Sequence, residues 1–267
     1  MATLSYLFLG SGDYSAPWEF AKQNSVVDEA KADRWGLDER PISAANEGAS
    51  RTLQGVTITA TELRTREETE VLYGDLDKKN KVHENDDISP GGTYHYTEGA
   101  LDRVQDNIRN IQLIGESRLA GVPDTTKVIG GFDATKYSLG TPAYDRIIFD
   151  NPHSGVYGSA TDDVQNMRAV TSNEELLKGV MREARDHLKP NGFFELSVCG
   201  WPFLAKPSRQ KKWDTGMDLG SEEKVRDFAD NLRMRVVSAH DEGVKSVTRN
   251  NGDIFQAQVV RFRFARA

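Results

Sequence analysis

Cysteine is almost absent from this chain of 267 residues, which contains only Cys199. A single cysteine excludes an internal disulfide framework and a zinc site built from cysteines. The five histidines show no metal-ligand spacing, so we expect no metal. Long apolar runs are also missing. No stretch approaches the ~18 residues of a membrane span, so we expect no membrane partner.

Positive charge is scarce as well. Lys and Arg number 34 against 41 Asp and Glu, which gives a formal net charge of −7. This balance argues against a protein that holds nucleic acid by bulk positive charge, although it leaves room for a local basic face. Hydrophobic residues make up 37% of the chain, enough for a full core.

Short apolar or β-branched runs alternate with helical patterns along the chain. The predicted strands are residues 4–9, 56–61, 127–132, 144–149, 193–198, 234–239 and 255–264. The clearest helical patterns are 98–114, 173–188 with Asn173 as N-cap, and 221–232. This alternation predicts an α/β, Rossmann-like fold: a seven-stranded, mostly parallel sheet with helices on both faces. Only a polar loop separates the last two strands, which predicts a C-terminal antiparallel hairpin.

Two polar stretches interrupt this pattern, near residues 24–55 and 75–97. Both are too long to be ordinary connections between secondary-structure elements. We interpret residues 1–267 as a single domain with two insertions, which could act as a lid over a bound molecule.

Three polar segments follow predicted strands and are candidates for cofactor binding. Glycines in the turn from Gly10 to Ser15 let the backbone bend sharply and a ligand approach it. Glu62 ends the second strand, where doubly wound folds bind ribose hydroxyls, and Asp133 follows the third, where a carboxylate can accept the adenine amino group. The alternatives are a tight turn without ligand, a surface glutamate and a capping aspartate.

The most specific segment is Asp150-Asn-Pro-His153, directly after the fourth strand. Pro152 fixes the turn and ends the strand. Asp150 could accept the N–H of a planar nitrogen acceptor. His153 could stack on that acceptor or take up a proton as general base. A capped turn with a surface histidine is the alternative.

Together these segments resemble the methyltransferases that depend on S-adenosylmethionine (SAM) and are related to the fungal 25S ribosomal RNA uridine-N3 methyltransferase. The resemblance covers residues 4–15, 56–63 and 128–203, and its motifs are Leu7-Phe-Leu-Gly-Ser-Gly-Asp-Tyr-Ser15, Gly131-Phe-Asp-Ala-Thr135 and Tyr144-Asp-Arg-Ile-Ile-Phe-Asp-Asn-Pro-His153. It implies a class I methyltransferase fold, SAM as cofactor and S-adenosylhomocysteine as product. The sequence departs from the family at Asp150-Asn151, where the family has Asn-Phe.

The residues and the resemblance together assign candidate roles. Predicted catalytic residues are Asp150 and His153. Predicted cofactor-binding residues are Gly10, Gly12, Asp13, Ser15, Glu62, Asp133 and Asp150. Predicted substrate-binding residues are Asn151, Pro152, His153, Trp201 and Trp213. The basic run at 206–212 beside Trp213 could hold a phosphate backbone while the indole stacks on a base, or it could be a solvated loop.

Three functions remain open at this stage. The first is N-methylation of a uridine-like base in RNA, which implies a cytoplasmic or, in a eukaryote, nucleolar protein. The second is methylation of a small nitrogen heterocycle or other metabolite, which the acidic balance favours. The third is a SAM-binding partner protein without catalysis. A nicotinamide-dependent oxidoreductase is disfavoured because the third glycine of the dinucleotide motif is replaced by Ser15.

Overall fold

The computed structural model describes residues 3–34, 42–83, 99–116, 124–136, 144–156, 162–199, 219, 221–248 and 254–267. These residues group into two compact units, one ending at Phe132 and the other beginning at Asp133 and including the C-terminal strand. The interpretation as a single domain stays a prediction, and each unit is described by itself.

The first unit has a parallel three-stranded arrangement at its centre. Its elements are β1 (Leu4–Leu9), α1 (Ser15–Gln23), β2 (Ser25–Val27), α2 (Glu29–Arg34), a 3-10 helix (Ala44–Ser50), β3 (Arg51–Leu53), β4 (Val56–Thr61), α3 (Arg66–His83), α4 (Ala100–Gly115) and β5 (Thr126–Ile129). The strand order is β5-β4-β1, and both pairings are parallel. Val104, Ile108 and Ile111 are buried on one face of α4, as their helical spacing predicts.

The described part of the first insertion packs against α4. Its strands β2 and β3 form a small antiparallel pair. The Asn110 side chain accepts a hydrogen bond from Gly48 N (2.7 Å) and donates one to Ala44 O (2.5 Å). Gly48 lies so close to Asn110 that a Cβ there would be 2.2 Å from the Asn110 carbonyl oxygen. These contacts fix residues 44–48 to the helix, which does not favour the lid hypothesis for this segment.

The second unit contains two parallel strands followed by a long antiparallel hairpin. Its elements are β6 (Tyr144–Asp150), α5 (Asp163–His187), β7 (Leu188–Cys199), α6 (Glu222–Asn231), β8 (Met234–Thr248) and β9 (Ile254–Arg266). The strand order is β6-β7-β9-β8; β6 and β7 are parallel, and the other pairs are antiparallel. One face of this sheet is buried by Ile147, Phe194 and Phe264, which lie opposite one another in register.

The opposite face of this sheet carries Arg146, Glu195, Arg261 and Arg263, and we call it the charged face. Glu195 Oε1 accepts a hydrogen bond from Arg263 Nε at 3.1 Å. The guanidinium groups of Arg146 and Arg263 lie over the Phe193 ring, 4.5 and 5.4 Å from its centroid. Alternation of side chains along each strand therefore separates a core face from a charged face.

The structure confirms the predicted fold class. Seven of the described strands belong to the α/β arrangement; β1–β4, β4–β5 and β6–β7 are parallel pairs, and β9 is antiparallel to both β7 and β8. One helix boundary was wrong. Helix α5 begins at Asp163, and its N-cap is Asp162, whose carboxylate accepts the N–H groups of Val164 and Gln165. Asn173 instead lies fully buried in the middle of α5.

Candidate active site

The glycine turn follows β1 in the first unit, as predicted. Gly10 and Gly12 both have φ of 56°, a left-handed conformation that glycine adopts without the Cβ penalty. Ser11 N donates to Thr61 O at 2.8 Å, which extends the pairing of β1 and β4 before the chain turns away. The Ser11 hydroxyl is buried and has no hydrogen-bond partner among the described residues.

Asp13 and Ser15, both predicted cofactor ligands, contact each other. Asp13 Oδ1 accepts hydrogen bonds from the backbone N (3.0 Å) and the hydroxyl (2.6 Å) of Ser15, where helix α1 begins. The Asp13 carbonyl accepts a bond from Asn107 Nδ2 at 2.9 Å. Asn107 was missed in the sequence, although a buried asparagine on the apolar face of a predicted helix is a usable signal.

Glu62 joins the end of β4 to the glycine turn. Its side chain is buried; Oε2 accepts from Gly12 N at 2.8 Å and Oε1 accepts from Arg64 Nη1 at 3.2 Å. Residues 50 positions apart are thus held together by a charge-assisted hydrogen bond. Its proposed binding of ribose hydroxyls stays a prediction.

Two tyrosines that were not predicted as site residues line the same turn: Tyr14, which belongs to the glycine-turn motif, and Tyr73, which no motif indicated. A Cβ built on Gly12 would lie 3.6 Å from the Tyr73 hydroxyl. Burial, together with the nearby negative charges of Asp13 and Glu62, raises the pKa of Tyr73. Burial and Glu62 also raise the pKa of Tyr14 to about 12. Both phenols therefore remain protonated donors at neutral pH.

Asp133, the predicted adenine ligand, begins the second unit and forms the same kind of turn as Asp13. Its Oδ1 accepts from Thr135 N at 2.9 Å and from the Thr135 hydroxyl at 2.6 Å. The hydroxyl bond is the main cause that lowers the pKa of Asp133, with a smaller contribution from Lys136. The carboxylate is therefore ionised, and such a group can accept an amino donor.

The turn from Asp150 to Gly155 is held at several points of the second unit. Asn151 has φ of 51°, and its N–H donates to Ser197 O at 2.8 Å. Pro152 is buried, whereas Asn151 is exposed. Ser154 N donates to Asn173 Oδ1 at 2.9 Å, so the buried asparagine of α5 anchors the turn.

His153 accepts a hydrogen bond within this turn. Its Nδ1 lies 2.9 Å from Gly155 N, which donates to it. A neutral imidazole that accepts at Nδ1 carries its proton on Nε2. This contact occupies Nδ1, and the role of His153 as general base stays a prediction.

Asp150 lies at the end of β6 and pairs with an arginine that the sequence analysis missed. Arg261 Nη1 is 3.3 Å from Asp150 Oδ1. Arg261 belongs to β9, 111 positions along the chain, and only the sheet register brings it near the turn. Oδ2 of Asp150 has no partner among the described residues.

The remaining predictions concern two tryptophans, a basic run, metal binding and membrane contact. Trp201, Trp213 and the basic run at 206–212 lie outside the described residues. Among the residues that are described, no group of three or more His, Cys, Asp or Glu side chains could hold a metal ion. The helices in the same part of the chain include none that is long and apolar enough to cross a membrane.

Solved structures similar to this chain are methyltransferases of several kinds. The glycopeptide N-methyltransferase MtfA, complexed with SAM, is 10% identical; the match covers 100% of this chain and 88% of that chain, with a TM-score of 0.42. TrmN from Thermus thermophilus is 11% identical, with 100% and 45% covered and a TM-score of 0.42. A TehB-like SAM-dependent methyltransferase from Corynebacterium glutamicum is 9% identical, with 100% and 82% covered and a TM-score of 0.40. Similarities this low say nothing about the acceptor.

A family model gives the stronger comparison. No curated protein matches the chain at a significant level. The model described as "BMT5-like: rRNA (uridine-N3-)-methyltransferase BTM5-like" matches residues 93–237. Because this match spans more than half of the chain and includes the Asp150–Gly155 turn, the chain belongs to the BMT5-like family and is a SAM-dependent methyltransferase.

Proposed function

We propose that this methyltransferase acts on the N3 nitrogen of a uridine in ribosomal RNA. The observation that supports this most is the carboxylate of Asp150. One of its oxygens is ion-paired with Arg261, and the other has no partner among the described residues. An imide N–H must meet a proton acceptor before its nitrogen can form a new bond. The family match supports the choice of acceptor.

The residues around the glycine turn fit SAM. The left-handed Gly12 has no Cβ to obstruct the backbone, and the buried Ser11 hydroxyl needs a partner that the described residues do not supply. Glu62 retains acceptor capacity for ribose hydroxyls, since an ionised carboxylate offers about four lone-pair sites. When bound, SAM supplies an activated methyl group on a positively charged sulfur.

In the proposed reaction, the side chains of the turn after β6 position the acceptor and take its proton. Asp150 would take the N3–H proton, and the methyl group would come from SAM, which would leave as S-adenosylhomocysteine. His153 donates from Nε2 or stacks on the base, since its Nδ1 already accepts from Gly155. Buried Pro152 fixes the loop that presents both groups.

Methylation of a small nitrogen heterocycle is the second candidate. The formal charge of −7 favours it, because negative charge opposes the approach of an RNA backbone. Both candidates use the same turn and the same proton acceptor. A substrate in ribosomal RNA would place the protein in the cytoplasm or the nucleolus.

Isotope transfer separates these candidates. The purified chain is incubated with methyl-labelled SAM and either an unmodified large-subunit rRNA transcript or free uridine. We expect label in the RNA only. Label in free uridine alone would favour the small-molecule function. No label in either, with S-adenosylhomocysteine still binding by calorimetry and NAD not binding, would support the non-catalytic partner protein.

A pair of variants tests the role of Asp150. Asp150→Ala should lower transfer at least about a hundredfold and leave S-adenosylhomocysteine binding within about twofold, because alanine has no group that can accept the N3–H. Asp145→Ala is the matched control on the same strand, since its carboxylate accepts from Lys189 Nζ at 2.6 Å and lies outside the turn. Full transfer by Asp150→Ala would remove this residue from the mechanism.

A further inference from the structure

A row of three side chains crosses the sheet of the second unit at the end of β6. Asp150 on β6 is opposite Ser197 on β7, and Ser197 is opposite Arg261 on β9. Directly opposite residues share a face, so all three belong to the charged face. Neighbouring strands lie about 4.8 Å apart, so the Arg261 side chain spans roughly twice that distance to reach Asp150.

The small side chain between them explains how the arginine reaches the carboxylate. Ser197 is 2% exposed, and its backbone carbonyl accepts from Asn151 N. A larger side chain at this position would stand in the path of the Arg261 guanidinium. The row therefore couples the C-terminal hairpin to the turn that follows β6.

Arg261 is itself held in place from the other side. Its Nε donates to Glu242 Oε1 at 2.8 Å, and Glu242 Oε2 pairs with Lys245 Nζ at 2.6 Å. Burial works against the charge on Arg261, but the Glu242 hydrogen bond and the negative charge of Asp150 raise its pKa on balance. The Arg261 guanidinium is therefore permanently charged, and its two hydrogen bonds fix its orientation.

We infer that Arg261 is a positioning residue for methyl transfer, which holds Asp150 so that its second oxygen meets the acceptor N–H. This inference rests on the proposed role of Asp150. The pairing satisfies Oδ1 and sets the rotation of the carboxylate, which leaves Oδ2 to act as the proton acceptor. It also neutralises a negative charge that would otherwise face an anionic RNA. Arg261 would act only through Asp150 and would not touch the cofactor.

Arg263 provides the matched control. It lies two residues further along β9 on the same face and pairs with Glu195 at 2.9 Å. Both arginines are partly exposed and ion-paired, but the acid that Arg263 contacts lies outside the proposed site. A general loss of charge or stability on this face should therefore affect both replacements equally.

The test is a double-mutant cycle read by methyl transfer to the large-subunit rRNA transcript. Arg261→Gln should lower kcat about tenfold or more, with KM for SAM and S-adenosylhomocysteine affinity unchanged, because a misdirected catalytic group slows the reaction step. Arg261→Lys should recover part of the rate. Arg263→Gln should stay within about twofold of the wild type. In the residual activity of an Asp150→Ala background, Arg261→Gln should change the rate less than about twofold.

Two results would overturn the inference: equal losses in the Arg261 and Arg263 variants, or an undiminished Arg261 effect in the Asp150→Ala background. If the wild-type chain transfers no methyl group to RNA, the proposed function fails instead. The Asp150–Arg261 coupling is then read from urea unfolding of the wild type, Asp150→Ala, Arg261→Gln and the double variant. Additive effects on the free energy of unfolding would show that the two side chains are not coupled and would overturn the positioning role, whereas non-additive effects would support the coupling.

Discussion

Replacement of Lys31 by methionine should destabilise the unit that carries the glycine turn. Lys31 is only 6% exposed, and its ammonium group donates to Leu113 O at 2.5 Å, Ile114 O at 3.0 Å and Arg51 O at 2.6 Å. The first two carbonyls belong to the last turn of α4, where helical carbonyls have no partner within the helix. One lysine from the first insertion thus caps this helix and ties the insertion to it.

The expected magnitude follows from these carbonyls. Methionine fills a similar volume but donates no hydrogen bond, so the buried acceptors lose their partner. Each buried unsatisfied acceptor costs about 1–3 kcal/mol, and entry of water recovers part of that cost. We expect Lys31→Met to lower the free energy of unfolding by about 2–4 kcal/mol, a large share of the roughly 5–15 kcal/mol that a domain has.

Urea denaturation followed by circular dichroism measures this change. The control is Lys127→Met, which replaces an exposed lysine in the same unit and should change the free energy by less than about 0.5 kcal/mol. Equal losses for the two variants would refute the argument that the Lys31 ammonium group satisfies the end of α4.

Further predictions concern the turns and the tyrosines. Gly12→Ala should weaken S-adenosylhomocysteine binding at least about tenfold, because an L side chain at φ 56° costs about 1–2 kcal/mol. Calorimetry measures this affinity, and an unchanged value would contradict a role for the turn. Asn173→Ala should lower the free energy of unfolding by about 1–3 kcal/mol and slow methyl transfer, since Ser154 N loses its acceptor; full activity would show that the anchor is not needed. The pKa of Tyr14 is raised from 10.0 to about 12, so its contribution to stability is complete below pH 10 and is lost as the pH rises toward 12. Tyr14→Phe should therefore lose less stability than the wild type between pH 9 and 12 in urea titrations, and an equal loss would contradict the assignment.

Hydrophobic periodicity was sufficient to predict the seven strands of the α/β arrangement, helix α4 and the C-terminal hairpin, but not the short strands β2 and β3 of the first insertion. These elements bury alternating or helically spaced apolar residues, so local sequence determines them. The true start of α5 was missed because Asn173 has the chemistry of an N-cap but lies within a helix, where its side chain binds Ser154 N and Ala169 O. The Asn173 side chain makes these hydrogen bonds instead of the N-cap hydrogen bond that the sequence predicts.

The sequence predicted those parts of the candidate site in which a motif directly follows a strand. It did not predict the residues that tertiary contacts bring to the site from distant segments. The glycine turn, Glu62 and the turn at Asp150 follow from strand ends and residue chemistry. Arg261 and Asn107 reach these turns from distant segments, 111 and 94 positions away in sequence. Nothing local distinguishes Arg261 from Arg263, and only strand pairing shows which of them meets Asp150.

The most direct test of the central claim is to identify the methylated nucleoside. Unmodified large-subunit rRNA is treated with SAM and the wild-type or Asp150→Ala chain, digested to nucleosides and analysed by mass spectrometry. We expect 3-methyluridine from the wild type and at least about a hundredfold less from the variant. A different methylated nucleoside, or equal 3-methyluridine from both proteins, would contradict this expectation.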